Sequence, residues 1–281
     1  MSRTVGDTLS EAIDVLRASG VETPHLDAQL LLAHAVGRSR LDLIAHPELE
    51  LFESQDRIFR AMLDERSRRC PLAYLVGYRE FYGLRIEVSR SVLVPRPETE
   101  LLVEETIRRV GTGPVRIADI GTGSGAVAVA LAANLPDAEI YGVDISSTAL
   151  EVAGHNVAKH HLSGRVRLLE GSLCEPLAGI EFDAVVSNPP YIPADQIESL
   201  QPEVAKWEPR GAMDGGPDGL DVIRRLLPDA RTLLKAGGFA AIEVGMGQAD
   251  SVRRIAGDGG YCQSETRCDL AGIERIVICQ K

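Results

Sequence analysis

The sequence predicts an α/β protein: a doubly wound, mostly parallel seven-stranded sheet with an antiparallel C-terminal hairpin, preceded by a small helical domain and a β-hairpin linker. Three observations carry this. From Val115 onward, short β-type runs alternate with helical patterns, as expected of a parallel sheet covered by helices on both faces. Residues 8–69 show helical spacing with no strand-like alternation. A glycine-rich loop separates the first strand of the alternating region from its first helix, where backbone can approach a ligand closely.

In chain order, Leu9, Ile13 and Leu16, and then Leu26, Leu30 and Ala33, fall at helical intervals. Thr8 and Glu11 have the spacing of a capping box, and Gly20 and Gly37 stand where helices should stop. A further helix is expected over residues 54–69. The pattern then shortens to Glu80-Phe81-Tyr82 and residues 84–88, separated by Gly83, which reads as a hairpin. Pro95-Arg96-Pro97 interrupts it, and a helical pattern over 98–109 opens the larger domain. The expected organisation is a helical domain at 1–75, a hairpin linker at 76–97 and a Rossmann-like domain at 98–281.

Within that domain, strands are expected at 115–120, 139–143, 166–169, 182–186 and 239–244, and helices at 126–133, 148–159 and 220–234. The runs 261–266 and 273–279 have no helix between them, so they should close the sheet as an antiparallel hairpin.

Composition sets limits. A chain of 281 residues has room for two domains, and 44% hydrophobic with 25% charged residues is ordinary for a globular protein. The formal charge of −11 opposes binding to a polyanion. Arg57, Arg60, Arg66, Arg68 and Arg69 are interleaved with Asp56, Asp64 and Glu65, which reads as a solvated helix face. Five cysteines without a C-x-x-C pair point to reduced thiols in the cytoplasm, with neither disulfide framework nor zinc site. His155, His160 and His161 lack metal-ligand spacing. Neither an apolar signal core nor a membrane-crossing run is evident.

Asp119-Ile120-Gly121-Thr122-Gly123-Ser124-Gly125 is the glycine loop. Ala126 completes a G-x-G-x-x-A pattern, so on spacing alone a NAD site stays open. Asp144, ending the second strand, is placed to accept from ribose hydroxyls, or else to cap the helix near Ser146. Asp119 either contacts a cofactor amino group or is a plain strand-end carboxylate.

Asn188-Pro189-Pro190-Tyr191 suits a different task. The lone pair of an amide or nucleobase NH2 is delocalised, and acceptors aimed at both N–H bonds favour a pyramidal, nucleophilic nitrogen. The Asn188 side-chain oxygen and the Pro189 carbonyl can supply them, and Tyr191 adds a flat wall. In a doubly wound sheet the first and fourth strands flank the switch point where ligands bind. A methyl donor on the glycine loop would there meet an amine at Asn188, with glutamine, adenine and cytosine all possible acceptors. A hydride carrier leaves Asn188-Pro189-Pro190-Tyr191 unexplained.

With these motifs, the chain resembles the S-adenosylmethionine-dependent methyltransferases, and within them the release-factor glutamine methyltransferases of the HemK family. The likeness extends to Pro95-Arg96-Pro97-Glu98-Thr99-Glu100, Glu203-Val204-Ala205-Lys206-Trp207-Glu208-Pro209, Asp214-Gly215-Gly216 with Gly219-Leu220, Glu243-Val244-Gly245, and Asp269-Leu270-Ala271-Gly272. The resemblance implies methylation of the glutamine side chain in the Gly-Gly-Gln tripeptide of bacterial class I peptide release factors, without a metal. It implies that Gly121, Thr122, Gly123, Ser124, Gly125 and Asp144 hold the cofactor. Asn188, Pro189, Pro190 and Tyr191 would form the glutamine pocket, with Asn188 also reaching the cofactor and Arg96, Pro97 and Glu98 alongside. The helical domain would recognise the release factor.

Relatives often carry an acidic residue and then an aromatic or large apolar one after the third strand, where this chain has Ser172-Leu173. Leu173 would cover the adenine and Ser172 would give its amino group a weaker hydrogen bond. Trp207 would either floor the peptide site or pack. Two other classes stay open: an amino-methyltransferase acting on adenine or cytosine in nucleic acid, which needs a basic groove, and a catalytically silent binding module.

Overall fold

The structure, a computed structural model, describes residues 3–281. They form two compact units: the chain up to Tyr78 together with Gln201–Trp207, and Arg79–Leu200 together with Glu208–Lys281.

The first unit contains α1 (Val5–Ala18), α2 (Pro24–Val36), α3 (Arg40–Ala45), α4 (Glu53–Ser67) and α5 (Leu72–Val76). Its core joins Val5, Ala12 and Leu16 to Leu31, Leu32, Leu43 and Phe59. The expected cap at Thr8 is corrected to Thr4, whose hydroxyl accepts from Asp7 N at 3.2 Å and donates to Asp7 Oδ2 at 2.7 Å. Thr4-x-x-Asp7 is itself an N-terminal signal, so the helix starts a turn earlier. Thr8 is buried inside that turn, its hydroxyl donating to the Thr4 carbonyl at 2.8 Å.

The buried face of α2 also differs from expectation: Asp27, Ala28, Leu31, Leu32 and Ala33 face inward, and Leu26 does not. Apolar residues surround this helix, so spacing alone cannot orient it. A buried ion pair accompanies the face chosen. Arg66 Nε donates to Asp27 Oδ2 at 2.7 Å, and its Nη1 reaches the Cys70 carbonyl at 3.1 Å and Glu203 Oε1 at 2.9 Å. Arg69 grips both oxygens of Glu203, at 2.6 and 2.7 Å.

Arg66 and Arg69 are therefore not part of a solvated face: the Arg66 side chain is only 7% exposed. Burying a guanidinium is costly unless it is paired, and here two carboxylates and a carbonyl pair it. Arg66→Ala should lower the unfolding free energy by about 3–5 kcal/mol, because Asp27 would be left buried and uncompensated. Urea unfolding that shows no midpoint shift would contradict this reading. Trp207 also belongs to this unit, its indole N–H donating to the Arg68 carbonyl at 3.3 Å.

In the second unit the hairpin pairs β1 (Tyr78–Phe81, which begins at the last residue of the first unit) with β2 (Leu84–Glu87). Tyr82, expected in a strand, sits in the turn: Tyr82 and Gly83 have φ of 51° and 73°, the left-handed pair that matches strand twist in a two-residue turn. The helix expected from residue 98 begins as a 3-10 turn, Pro97–Thr99, and becomes α-helical only in α6 (Glu100–Val110).

Then follow β3 (Arg116–Ile120), α7 (Ala126–Asn134), β4 (Glu139–Asp144), α8 (Ser147–Lys159), β5 (Val166–Glu170) and β6 (Phe182–Ser187). Helix α9 (Pro202–Trp207) belongs to the first unit, and α10 (Asp221–Leu233), β7 (Leu234–Glu243), α11 (Ala249–Asp258), β8 (Gln263–Cys268) and β9 (Glu274–Gln280) complete the chain. The seven strands run in the order β5-β4-β3-β6-β7-β9-β8. Neighbours from β5 to β7 are parallel, and β9 is antiparallel to both β7 and β8.

This is the doubly wound sheet with a closing antiparallel hairpin that the alternation predicts. Its strands are nearly continuous apolar runs because both faces are covered; Ile117, Ala118, Ile140, Val143, Ala184 and Val185 are all buried. The order reverses between β3 and β6, which pair with Ile120 opposite Ser187. Gly121 and Asn188 therefore leave adjacent strand ends. No helix among the described residues is long and apolar enough to cross a membrane.

Candidate active site

A cavity of about 400 Å³ opens where the chain leaves β3, β4, β5 and β6, the carboxyl ends of the parallel strands. Its floor is the glycine loop. Gly121 N and Thr122 N both donate to the Val143 carbonyl, at 2.8 and 2.9 Å, tying the loop to β4. Asp144 adds a side-chain tie: Oδ2 accepts from Gly123 N at 2.8 Å, and Oδ1 from Ser146 N at 2.9 Å. The helix cap itself is Ser146, whose hydroxyl accepts from Ala149 N at 3.2 Å. Asp144 is thus spoken for by two backbone donors but keeps lone pairs on each oxygen.

Gly121, Thr122, Gly123, Ser124, Asp144, Ser172, Leu173, Asn188, Pro190 and Arg96 all line the cavity, whereas Gly125, Pro189, Tyr191, Pro97 and Glu98 are not among its walls. Gly125 has a packing reason to be glycine. Its φ is +76°, and a Cβ there would lie 3.1 Å from the Ala153 Cβ, so it lets α7 start against α8. Asp119 lines the cavity but is 1% exposed; it accepts from Thr122 Oγ1 at 2.6 Å and Ala128 N at 3.2 Å, bracing the loop from beneath.

Leu173 holds a left-handed backbone, with φ of 50°, which a branched side chain adopts at a cost. Ser172 accepts weakly from Arg225 Nη2 at 3.4 Å. Arg225, Val127, Ala149 and Ile145 also contribute to the walls. Ile145 is 75% exposed, an apolar side chain left open beside Asp144. Spacing gave no warning of Arg225, which comes from α10. At the rim, Arg96 Nη2 bonds both oxygens of Glu208 at 2.8 Å; Glu208 is buried, and that burial, working against the Arg96 charge, pushes its carboxyl above the usual range.

Asn188 Nδ2 donates to Thr99 Oγ1 at 3.0 Å, and the Tyr191 hydroxyl donates to Glu243 Oε1 at 3.2 Å. Tyr191 is thus half-buried behind the pocket, and its phenol is pushed up by burial and by the Glu243 charge. Thr99 and Glu243 went unassigned in the sequence, although both lie within the motifs Pro95-Arg96-Pro97-Glu98-Thr99-Glu100 and Glu243-Val244-Gly245. Among the described residues no cluster of His, Cys, Asp and Glu is placed to hold a metal.

Asp119 and Glu243 are both pushed up to about 7, chiefly by burial. A carboxyl with a folded pKa above its unfolded value binds protons more tightly when folded. Its contribution is full below the unfolded pKa and is lost as pH rises through the folded one. Stability should therefore fall from about pH 4 for Asp119 and about pH 4.5 for Glu243 up to about pH 7, by up to about 3–4 kcal/mol for each group. Glu243→Gln should flatten that decline in urea midpoints taken at pH 5 and pH 8; an unchanged slope would contradict it.

Sequence comparison agrees with this geometry. Residues 7–77 match the PrmC N-terminal domain and residues 97–202 the methyltransferase small domain. The release factor glutamine methyltransferase of Geobacter sulfurreducens is 42% identical over 274 residues, 98% of this chain and 95% of that protein. That of Moorella thermoacetica is 43% identical over 277 residues, 98% of each chain. Among solved structures, a methyltransferase from Pyrococcus furiosus superposes with a TM-score of 0.55 at 19% identity, covering 78% of this chain and 98% of that one, a likeness of fold. At this identity over nearly the full length of both chains, the protein belongs to the release factor glutamine methyltransferase family.

Proposed function

We propose that this chain transfers a methyl group from S-adenosylmethionine to the side-chain amide nitrogen of the glutamine in the Gly-Gly-Gln motif of bacterial class I release factors. The observation that carries the reading is the pairing of Ile120 with Ser187, which puts the glycine loop and Asn188 on neighbouring strand ends around one cavity.

The walls suit S-adenosylmethionine. A cavity of about 400 Å³ is the size of a small-ligand site. Asp144 retains acceptor capacity for ribose hydroxyls, and Gly121, Thr122, Gly123 and Ser124 present backbone. Ile145, Leu173 and Val127 offer apolar faces to a flat base, with Ser172 at the edge. Gly125 serves by letting the loop turn. When bound, S-adenosylmethionine supplies an electrophilic methyl group on a sulfonium.

The protein's own residues then act on the amine. Asn188 Oδ1 accepts one N–H of the substrate amide and the Pro189 carbonyl the other, which draws the lone pair out of conjugation. Methylation of that nitrogen would break the donor's carbon–sulfur bond and release the nitrogen's surplus proton to solvent. In this reading Pro190 lines the pocket, Tyr191 backs it, and Arg96, fixed by Glu208, stands at its rim with Pro97 and Glu98 beside it. In this reading residues 1–75 recognise the release factor, residues 76–97 link, residues 98–281 catalyse, and the reaction runs in the cytoplasm.

A nucleic-acid amine is not favoured, given the charge of −11. Purified enzyme with labelled S-adenosylmethionine should label a class I release factor, and changing the Gly-Gly-Gln glutamine should abolish labelling. Equal labelling of that mutant would overturn the proposal.

A further inference from the structure

Asn188-Pro189-Pro190-Tyr191 poses a problem of support. Two successive prolines carry no backbone N–H, so residues 189 and 190 can be tied down only through their carbonyls. The Pro189 carbonyl is the one proposed to accept from the substrate, and a tether there would compete for it. The segment therefore has to be held from its ends. Upstream, β6 ends at Ser187, which pairs with Ile120 on one side and Ile242 on the other. Downstream, the Tyr191 carbonyl accepts from Gln248 Nε2 at 2.9 Å.

Gln248 stands at the start of α11, but its side chain does not cap that helix. Its carboxamide bridges two backbone groups instead: Oε1 accepts from Gly245 N at 2.9 Å while Nε2 donates to Tyr191. A backbone N–H only donates and a carbonyl only accepts, so the amide can face only one way. Two glycines leave room for it. A Cβ at Gly245 would lie 2.9 Å from Gln248 Oε1 and 3.3 Å from Tyr191 Cδ2. One at Gly219, where φ is +77°, would lie 2.3 Å from the Tyr191 carbonyl oxygen and 2.7 Å from Gln248 Nε2. The next residue is held separately: Ile192 N donates to the Met213 carbonyl, and the Ile192 carbonyl accepts from Gly215 N, both at 2.9 Å.

We infer that Gln248 is a positioning residue whose carboxamide fixes the downstream end of Pro189-Pro190, so that the Pro189 carbonyl stays aimed at the amine to be methylated. This rests on the methyl-transfer reading and extends it to a residue that is not among the cavity walls. Gln248 touches none of the reacting atoms. It acts through Tyr191.

Gln248→Met keeps the length of the side chain and removes both bonds, and Gln248→Ala removes them if methionine does not fit. Either should lower the single-turnover rate with a release factor about 10-fold, the equivalent of one lost hydrogen bond, while calorimetric affinity for S-adenosylmethionine stays within about twofold. Independently of activity, NMR relaxation should show the Tyr191 backbone N–H ordered in wild type and mobile in the variants, with Ile192 ordered throughout. A lowered unfolding midpoint with the rate of the folded enzyme unchanged, a loss confined to cofactor affinity, or unchanged order at Tyr191 would each overturn the inference. Should wild type fail to methylate a release factor, the functional reading falls, and the order at Tyr191 still decides whether Gln248 holds the segment.

Discussion

Asn188→Ala should cut kcat by about 100- to 1,000-fold while leaving S-adenosylmethionine affinity within a few fold. Its Oδ1 is one of two acceptors proposed to gain strength as the substrate nitrogen becomes pyramidal. Removing a preorganised group of that kind from an enclosed site costs about 3–4 kcal/mol in the transition state. The cofactor's contacts are proposed to lie chiefly on the glycine loop and Asp144, which the substitution leaves intact. Single-turnover rates, paired with calorimetric titration of S-adenosylmethionine, separate the two effects. A loss confined to cofactor binding would remove Asn188 from the chemistry.

Asp144→Ala should produce the opposite split. The carboxylate is proposed to take the ribose hydroxyls, and it already holds Gly123 N and Ser146 N at 2.8 and 2.9 Å. Hydrogen bonds to a charged group are worth about 1.5–3 kcal/mol. Losing the ligand contact and loosening the loop should therefore weaken S-adenosylmethionine about 100-fold, with kcat at saturation falling much less. Titration calorimetry reads this directly. Affinity within about threefold of wild type would show that Asp144 serves only the fold.

These two residues were legible in the sequence because each stands at the end of a strand that announces itself. The β-type runs at 115–120, 139–143 and 182–186 alternate with helical patterns, and the switch-point rule makes the first and fourth neighbours. The structure pairs Ile120 with Ser187 accordingly. What the sequence concealed is pairing across long separations. Arg66 reads as one of several surface arginines because its partners, Asp27 and Glu203, lie 39 and 137 residues away.

The same reason hid the orientation of α2, where apolar residues on every side left the choice of face to tertiary contacts. Thr8 failed as a cap because a competing Thr4-x-x-Asp7 lay one turn upstream. Thr99 lay within a motif quoted for the resemblance, but its contact with Asn188, 89 positions away, cannot be read from spacing. Arg225 had no signal at all. It reaches the cavity from α10, and only the packing of that helix against the sheet brings it there.

The central claim is that the NH2 group served by Asn188 is a protein glutamine amide. Incubation of this enzyme, S-adenosylmethionine and an unmodified class I release factor, followed by fragmentation mass spectrometry of the Gly-Gly-Gln peptide, tests it most directly. The account predicts one added methyl mass, located on the glutamine side chain and absent with Asn188→Ala. A release factor that stays unmodified under these conditions, or a methyl group found on any other residue, would contradict it.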